Sequence, residues 1–146
     1  MAKSEDIAIA CDHAAIDLKH HLVKFLLKQG HNVIDMGVRK RASVDYPVYA
    51  KKVARAVSAG DVPLGILLCG TGIGMCMVAN RFPGVRAALV HDHFTARAAK
   101  SHNNANILCI GARITAFALA EELVSTWLET KFEGGRHQNR LDLIDE

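Results

Sequence analysis

The sequence predicts an α/β domain: an open, doubly wound, parallel sheet of five strands in flavodoxin-like order. Helices cover both faces, and a helical tail ends the chain. Three observations predict it. A short apolar run followed by a longer amphipathic stretch recurs five times, the pattern of a chain that alternates strand and helix. The central runs are apolar throughout, as strands are when both their faces are covered. Five strands are too few for an eight-fold barrel, and 146 residues suit one domain over 1–146 with one core.

Each element follows from local signals. "DIAIAC", Asp6 to Cys11, reads as the first strand. The helix after it carries Leu18, Leu22, Phe25 and Leu26 at helical spacing, with Lys24 and Lys28 off that face. Gly30 stops it. "HNVIDM" is the second strand. Asp45 is placed to cap the next helix, with Pro47 in its first turn and Val53, Ala54 and Val57 inward until Gly60. "GILLC" is the third strand, and "GMCMVANRF" the helix beyond its glycine-rich loop. "VRAALV" is the fourth strand, followed by the helical "DHFTARAAKSHNN". "NILCIG" is the fifth. Thr115 is placed to cap a long helix to about Lys131, with Leu119, Leu123, Val124 and Trp127 inward.

Composition narrows the function. Half the residues are hydrophobic and 23% are charged, the mix of a soluble globular chain. The net charge of +3 is mild, and "RKR" at Arg39 to Arg41 is the longest basic run. Nucleic-acid binding needs a concentrated basic stripe; a small anionic ligand needs only a few local cations. No apolar stretch approaches the roughly 20 residues of a membrane span. "MAKSEDIAIACDH" is too short in its apolar run and too acidic for a signal peptide. The expected location is cytoplasmic, with no nucleic-acid or membrane partner. The cysteines Cys11, Cys69, Cys76 and Cys109 form no CxxC pair. That argues against a zinc knuckle and for free thiols, each by default a small buried hydrophobe.

Ligands of such sheets bind beyond the carboxyl ends of the strands. There the sequence places Cys11-Asp12-His13, Cys69-Gly70-Thr71-Gly72-Ile73-Gly74, His91-Asp92-His93 and Gly111-Ala112-Arg113. A carboxylate, imidazoles, a thiol, a hydroxyl and a guanidinium share one edge, which marks a site. Any one of them has a structural use; Asp12, for example, could cap the first helix. The loop after Cys69 is neither a dinucleotide fingerprint nor a Walker loop, for Met75 stands where the last glycine belongs and Gly-Lys-Ser/Thr is missing. A phosphatase loop needs an arginine close behind its thiol, and the first one is Arg81. What is left is a run of N–H groups opening a helix, either an anion or oxyanion hole or a plain turn. Such donors favour a thiolate at Cys69, which can accept a proton while an enediolate oxygen rests on them.

In the tail, Arg136 and Arg140 share a helix face. They form a phosphate clamp or a solvated basic surface. His102 ends the fourth helix, which strict alternation puts at the opposite edge from Cys69. It is a surface residue, its helix breaks early, or it serves another subunit's site. That last case predicts an obligate dimer.

In order and register, "CDH", "DYP", "CGTGIG", "HN", "GAR" and "EGGRHQNR" resemble ribose-5-phosphate isomerase type B, whose wider family includes the subunits of galactose-6-phosphate isomerase. The resemblance covers essentially the whole chain. It implies a Rossmann-like homodimer that interconverts D-ribose 5-phosphate and D-ribulose 5-phosphate without a metal or cofactor. It makes Cys69 the base between C1 and C2, assisted by Thr71, with Gly70, Gly72, Ile73 and Gly74 holding the enediolate. His102 opens the furanose ring, Asn103 and Asp12 contact the sugar, and Tyr46 lines the pocket. His13, Arg113, Arg136 and Arg140 gather the phosphate. Some of these come from the second subunit, with the tail from about 133 packing on the partner in a homodimer or a dimer of dimers. The sequence shows no His and carboxylate pair at metal-ligand spacing. Two other readings stay open. One is an isomerase of another aldose phosphate (allose 6-phosphate, galactose 6-phosphate or a tetrose 4-phosphate). The other is a sugar-phosphate sensor with no need of a reactive thiol.

Overall fold

The structure is a computed structural model and describes residues 3–146. Five strands, β1 (Asp6–Cys11), β2 (Asn32–Asp35), β3 (Leu64–Cys69), β4 (Ala87–Leu89) and β5 (Ile107–Gly111), form one sheet. Every neighbouring pair is parallel. The helices are α1 (Ile16–Lys28), α2 (Tyr46–Ser58), α3 (Ile73–Ala79), α4 (His93–Ser101), α5 (Phe117–Glu129) and α6 (Arg136–Ile144). One apolar cluster joins α1, α4 and α5 to one face of the sheet, and a second joins α2 and α3 to the other. The predicted fold class is therefore present, with α6 as the helical tail.

The strand order departs from the flavodoxin-like expectation at one edge. It is β2-β1-β3-β5-β4, so the last two strands exchange places relative to flavodoxin-like 2-1-3-4-5. Burial explains the exchange. All five residues of β5 are buried, whereas β4 is three half-buried residues, fit for an edge and too short for the centre. Two caps also differ. Asp45 occupies the N-cap of α2 but its side chain makes no cap hydrogen bond. The N-cap of α5 is Ala116, and Thr115 is buried one residue earlier, so it caps nothing. That helix ends at Glu129, short of Lys131.

One charged side chain lies wholly inside. Lys19 sits three residues after Ile16 and three before Leu22, on the buried face of α1, and is 0% exposed. Its Nζ donates to Asp35 Oδ1 at 2.8 Å and to the Val38 carbonyl at 3.0 Å. The contact ties α1 to the end of β2. A buried ammonium survives only with such partners. Burial pushes the Asp35 carboxyl up, but the Lys19 ammonium and the Gly37 N–H outweigh it and hold the group below its ordinary range.

Removing the ammonium leaves the Val38 carbonyl with only the Cys11 thiol, at 3.8 Å, and opens a cavity. Lys19→Ala should cost about 3–5 kcal/mol in urea unfolding, and Lys19→Met less because it refills the space. Asp35 also predicts an acid signature. Its folded carboxyl is more acidic than the unfolded one, so its contribution is fully present above the unfolded value. It fades as pH falls from about 4 toward the lowered folded value. The stability gap between wild type and Asp35→Asn should close over that acid range.

Candidate active site

The parallel sheet sends β1, β3 and β5 to one edge, and the candidate residues gather there. Cys69 is the last residue of β3 and is buried. The chain then turns through Gly72, whose φ of +80° lies in the left-handed region that glycine adopts without strain. A Cβ there would also strike Leu89 and the backbone of Ile110. The turn swings the Gly72 N–H back onto the thiol, where it donates to Sγ at 3.1 Å. The Ile73 N–H faces the Thr71 hydroxyl at 3.3 Å. One N–H of the loop thus reaches the sulfur, and both of these N–H groups face the loop's own side chains.

The groups around the loop converge on a cavity of about 380 Å³ lined by Tyr46, Cys69, Gly70, Thr71, Ile73, Gly74, Met77 and Arg113. That is within the usual range for a small-molecule pocket. The Tyr46 ring packs onto Gly74, and the Arg113 guanidinium lies across Gly70. Asp12 and His13 follow β1 on the neighbouring strand. The Asp12 N–H donates to the Leu68 carbonyl at 3.1 Å, and its carboxylate accepts from Ala14 N at 2.9 Å. Asp12 therefore does cap a short turn, the 3-10 turn His13–Ala15, with one oxygen. His13 is held by its Nδ1, which accepts from Val44 N at 3.1 Å. Met77 also lines the cavity, a residue with no signal in the sequence motifs. It stands one helical turn from Ile73, and both are exposed.

The group after β4 does not join them. Asp92 caps α4 by accepting from Thr95 N at 2.7 Å, and His93 pairs with Glu122 at 2.8 Å. The same Thr95 N–H, with the Thr95 hydroxyl, lowers the Asp92 carboxyl. Both residues have structural partners, and β4 has moved to the sheet edge.

His102, Asn103, Arg136 and Arg140 belong to a second assembly. His102 is the C-cap of α4. Just beyond it, the Asn106 carbonyl accepts from Gly65 N at the start of β3. The length of β3 therefore separates His102 from Cys69, as strict alternation requires. The His102 ring stacks on His137 of α6, centroids 4.5 Å apart and 10° from parallel. Arg136 and Arg140 are exposed on that helix. Glu133 stands beside both rings, and one donor atom from each of His102, Glu133 and His137 lies within 4.8 Å of the other two. Glu133 and His137 are four apart in the sequence, a His and carboxylate pair that the expectation of none at ligand spacing overlooked; β5 and α5 separate His102 from them. Among the described residues, no helix is long and apolar enough to cross a membrane.

Known proteins resemble the chain over this whole arrangement. The family model Ribose/Galactose Isomerase matches residues 7–144. Ribose-5-phosphate isomerase B of Escherichia coli K12 is 44% identical over 138 residues, covering 94% of this chain and 93% of that one. The galactose-6-phosphate isomerase subunit LacB of Clostridium acetobutylicum is 41% identical over 96% of this chain and 82% of its own. The solved structure of ribose-5-phosphate isomerase B from Mycoplasma genitalium with bound ribulose-5-phosphate superposes with a TM-score of 0.93 at 44% identity. It covers 96% of this chain and 93% of that one.

One thiol departs from the small buried hydrophobe expected of each cysteine. Cys76 of α3 is half-buried, and a hydrogen bond from the Cys109 thiol, outweighing burial, lowers it to about 7. Asn80 Nδ2 also reaches its sulfur, at 3.5 Å. Cys109, wholly buried, is pushed up in return. Alkylation by iodoacetamide, followed site by site by mass spectrometry, should therefore show a thiol titrating near pH 7 at Cys76. A Cys76→Ala variant should lose that component, leaving the Cys69 reaction to be read alone.

Proposed function

The chain belongs to the ribose/galactose isomerase family, and on that premise we propose that it interconverts D-ribose 5-phosphate and D-ribulose 5-phosphate. The carrying observation is the Cys69 sulfur held by the Gly72 N–H at 3.1 Å at the wall of a cavity sized for a small ligand. A thiolate there is a base with an oxyanion hole beside it. Members of this family are isomerases, which removes the sensor reading.

The proposed reaction needs three tasks. His102 transfers the proton that opens the furanose ring. The Cys69 thiolate then takes the proton from C2 of the aldehyde form, and negative charge moves to O1. The N–H groups from Gly70 to Gly74 hold that enediolate oxygen, with Thr71 assisting Cys69. Return of the proton to C1, with the hydroxyl proton passing from O2 to O1, leaves the ketose. Asp12 and Asn103 bind sugar hydroxyls, Tyr46 packs against the sugar, and His13, Arg113, Arg136 and Arg140 take the phosphate. No step calls for a metal or cofactor.

Cys69 and His102 stand at opposite ends of β3, so one chain does not supply a whole site. We place the chain in a homodimer in which His102, Asn103 and the tail from about 133 complete the partner's pocket. Ile73 and Met77, exposed at 46% and 67% on one face of α3, form an apolar rim that a second copy would cover. Two such dimers could pair, and the setting is cytoplasmic. The residues thus constitute one domain with a tail that acts in trans.

A six-carbon substrate is the second reading, favoured by the 41% identity to a galactose-6-phosphate isomerase subunit. Comparing kcat/KM across ribose, allose and galactose phosphates separates the two; the pentose should lead.

Cys69→Ala should lower kcat by about 100- to 10,000-fold, the usual contribution of a general base; near-normal turnover would remove Cys69 from the role. His102→Ala should be similarly slow. In a mixture of the two variants under subunit exchange, about a quarter of wild-type activity should return, because a two-fold heterodimer regains one of its two sites. No recovery despite demonstrated exchange would exclude the shared site.

A further inference from the structure

His102, Glu133 and His137 come from three separate segments: the end of α4, the loop after α5 and the first turn of α6. Backbone geometry fixes their meeting. The Glu133 N–H donates to the Ser101 carbonyl at 3.0 Å, which binds the loop to the end of α4, and the His137 N–H donates to Gly134 at 3.1 Å. His102 Nε2 is 4.0 Å from one Glu133 oxygen, and His137 Nε2 is 3.5 Å from the other. One donor atom from each residue lies within 4.8 Å of the other two.

The second observation is electronic. The His137 side chain is only 8% exposed, and its Nε2 is fully buried without a hydrogen-bond partner. Native interiors seldom leave such an atom unsatisfied. It faces the gap shared with the other two donors. The separations are too long for good hydrogen bonds. The His137–Glu133 separation of 3.5 Å is near the roughly 3.4 Å between ligand atoms on a tetrahedral ion with bonds of about 2.1 Å, and the His102 separation of 4.0 Å is longer.

We propose that these three side chains form a binding site for a Zn²⁺-type divalent cation, with two imidazole nitrogens, one carboxylate oxygen and an open fourth position. The donor set selects the ion. Imidazole suits zinc and its transition-metal neighbours, whereas Mg²⁺ and Ca²⁺ require mostly oxygen. The nearly parallel rings send their in-plane lone pairs side by side rather than to one point. One ring must turn to close the site. His137 is fixed by burial, and His102 has a side chain 45% exposed, so His102 makes that movement.

A consequence for catalysis rests on the reading of His102 as the ring-opening residue. A metal-held His102 has no free lone pair and cannot exchange a proton with the sugar. The ion is therefore an inhibitor of the isomerase and not its cofactor.

Calorimetric titration of the full-length protein with ZnCl₂, and of Co²⁺ by its visible absorption, tests the site. The expected result is one ion per chain, bound about tenfold or more weakly in Glu133→Gln, His102→Asn and His137→Asn, and no comparable binding of MgCl₂. Glu133 is exposed, so its isosteric change keeps the fold readable even if the His137 variant unfolds. Binding unchanged in Glu133→Gln and His102→Asn would assign the ion to thiols such as Cys69 or Cys76 and overturn the proposal. So would the absence of saturable binding, or equal binding of magnesium. Activity is a separate readout: zinc should inhibit wild type and require about tenfold more metal to inhibit Glu133→Gln. Binding at the cluster without inhibition would uphold the site and instead sink the ring-opening role of His102.

Discussion

The ends of β3 and β5 are tied to each other, and the pocket depends on that tie. Ala112 N donates to the Cys69 carbonyl at 2.8 Å, and Arg113 N to the Gly70 carbonyl at 3.0 Å. The contact is so close that a Cβ on Gly111 would sit 2.6–2.7 Å from the Thr71 backbone, a distance no side chain tolerates. Only glycine lets the two strand ends meet. Their meeting holds the thiol, the donor loop and the Arg113 guanidinium in one frame before any ligand arrives. Preorganised donors of this kind are worth most in catalysis, because they need no rearrangement when charge develops.

The same tie gives the strand order its functional meaning. In a flavodoxin-like order, the residues after β4 would stand next to Cys69, and the neighbours of the thiol would be His91, Asp92 and His93. With β5 in that position, the neighbour is Arg113. The exchange of two strands replaces imidazoles by a permanent cation beside the loop, which suits an anionic ligand. The displaced residues then serve the fold, as the cap of α4 and the partner of Glu122.

Much of this was legible in the sequence. Continuous apolar runs mark strands covered on both faces, and glycines after helical stretches mark their ends. The carboxyl edge of a parallel sheet is known once the strands are known, so the pocket around Cys69 follows. Strand neighbours are not written in the same way, because "VRAALV" and "NILCIG" are both apolar. The one sign of an edge was Arg86, whose Nε reaches the Asn104 carbonyl at 3.1 Å instead of a covered face. Lys19 was hidden for a similar reason. Apolar spacing finds a buried face from its hydrophobic members and passes over a charge seated among them. The meeting of His102 with Glu133 and His137 was illegible because it is a product of tertiary packing.

The division of the chemistry proposed for Cys69 and His102 has a physical logic. A helix that returns antiparallel to its strand ends at the far edge of the sheet, so no βα unit places both its strand end and its helix end in one pocket. A parallel fold that needs both must import one of them. In the homodimer proposed above, two-fold symmetry would do this reciprocally: the patch that gives His102 to the partner would accompany the pocket that receives the partner's copy. The apolar rim at Ile73 and Met77 then has a reason to lie exposed beside a polar pocket in the single chain. In that proposed dimer, closing the pocket and joining the subunits would be the same event. A base flanked by N–H donors gains most from that closure, since exclusion of water strengthens each electrostatic contact on which the developing enediolate depends.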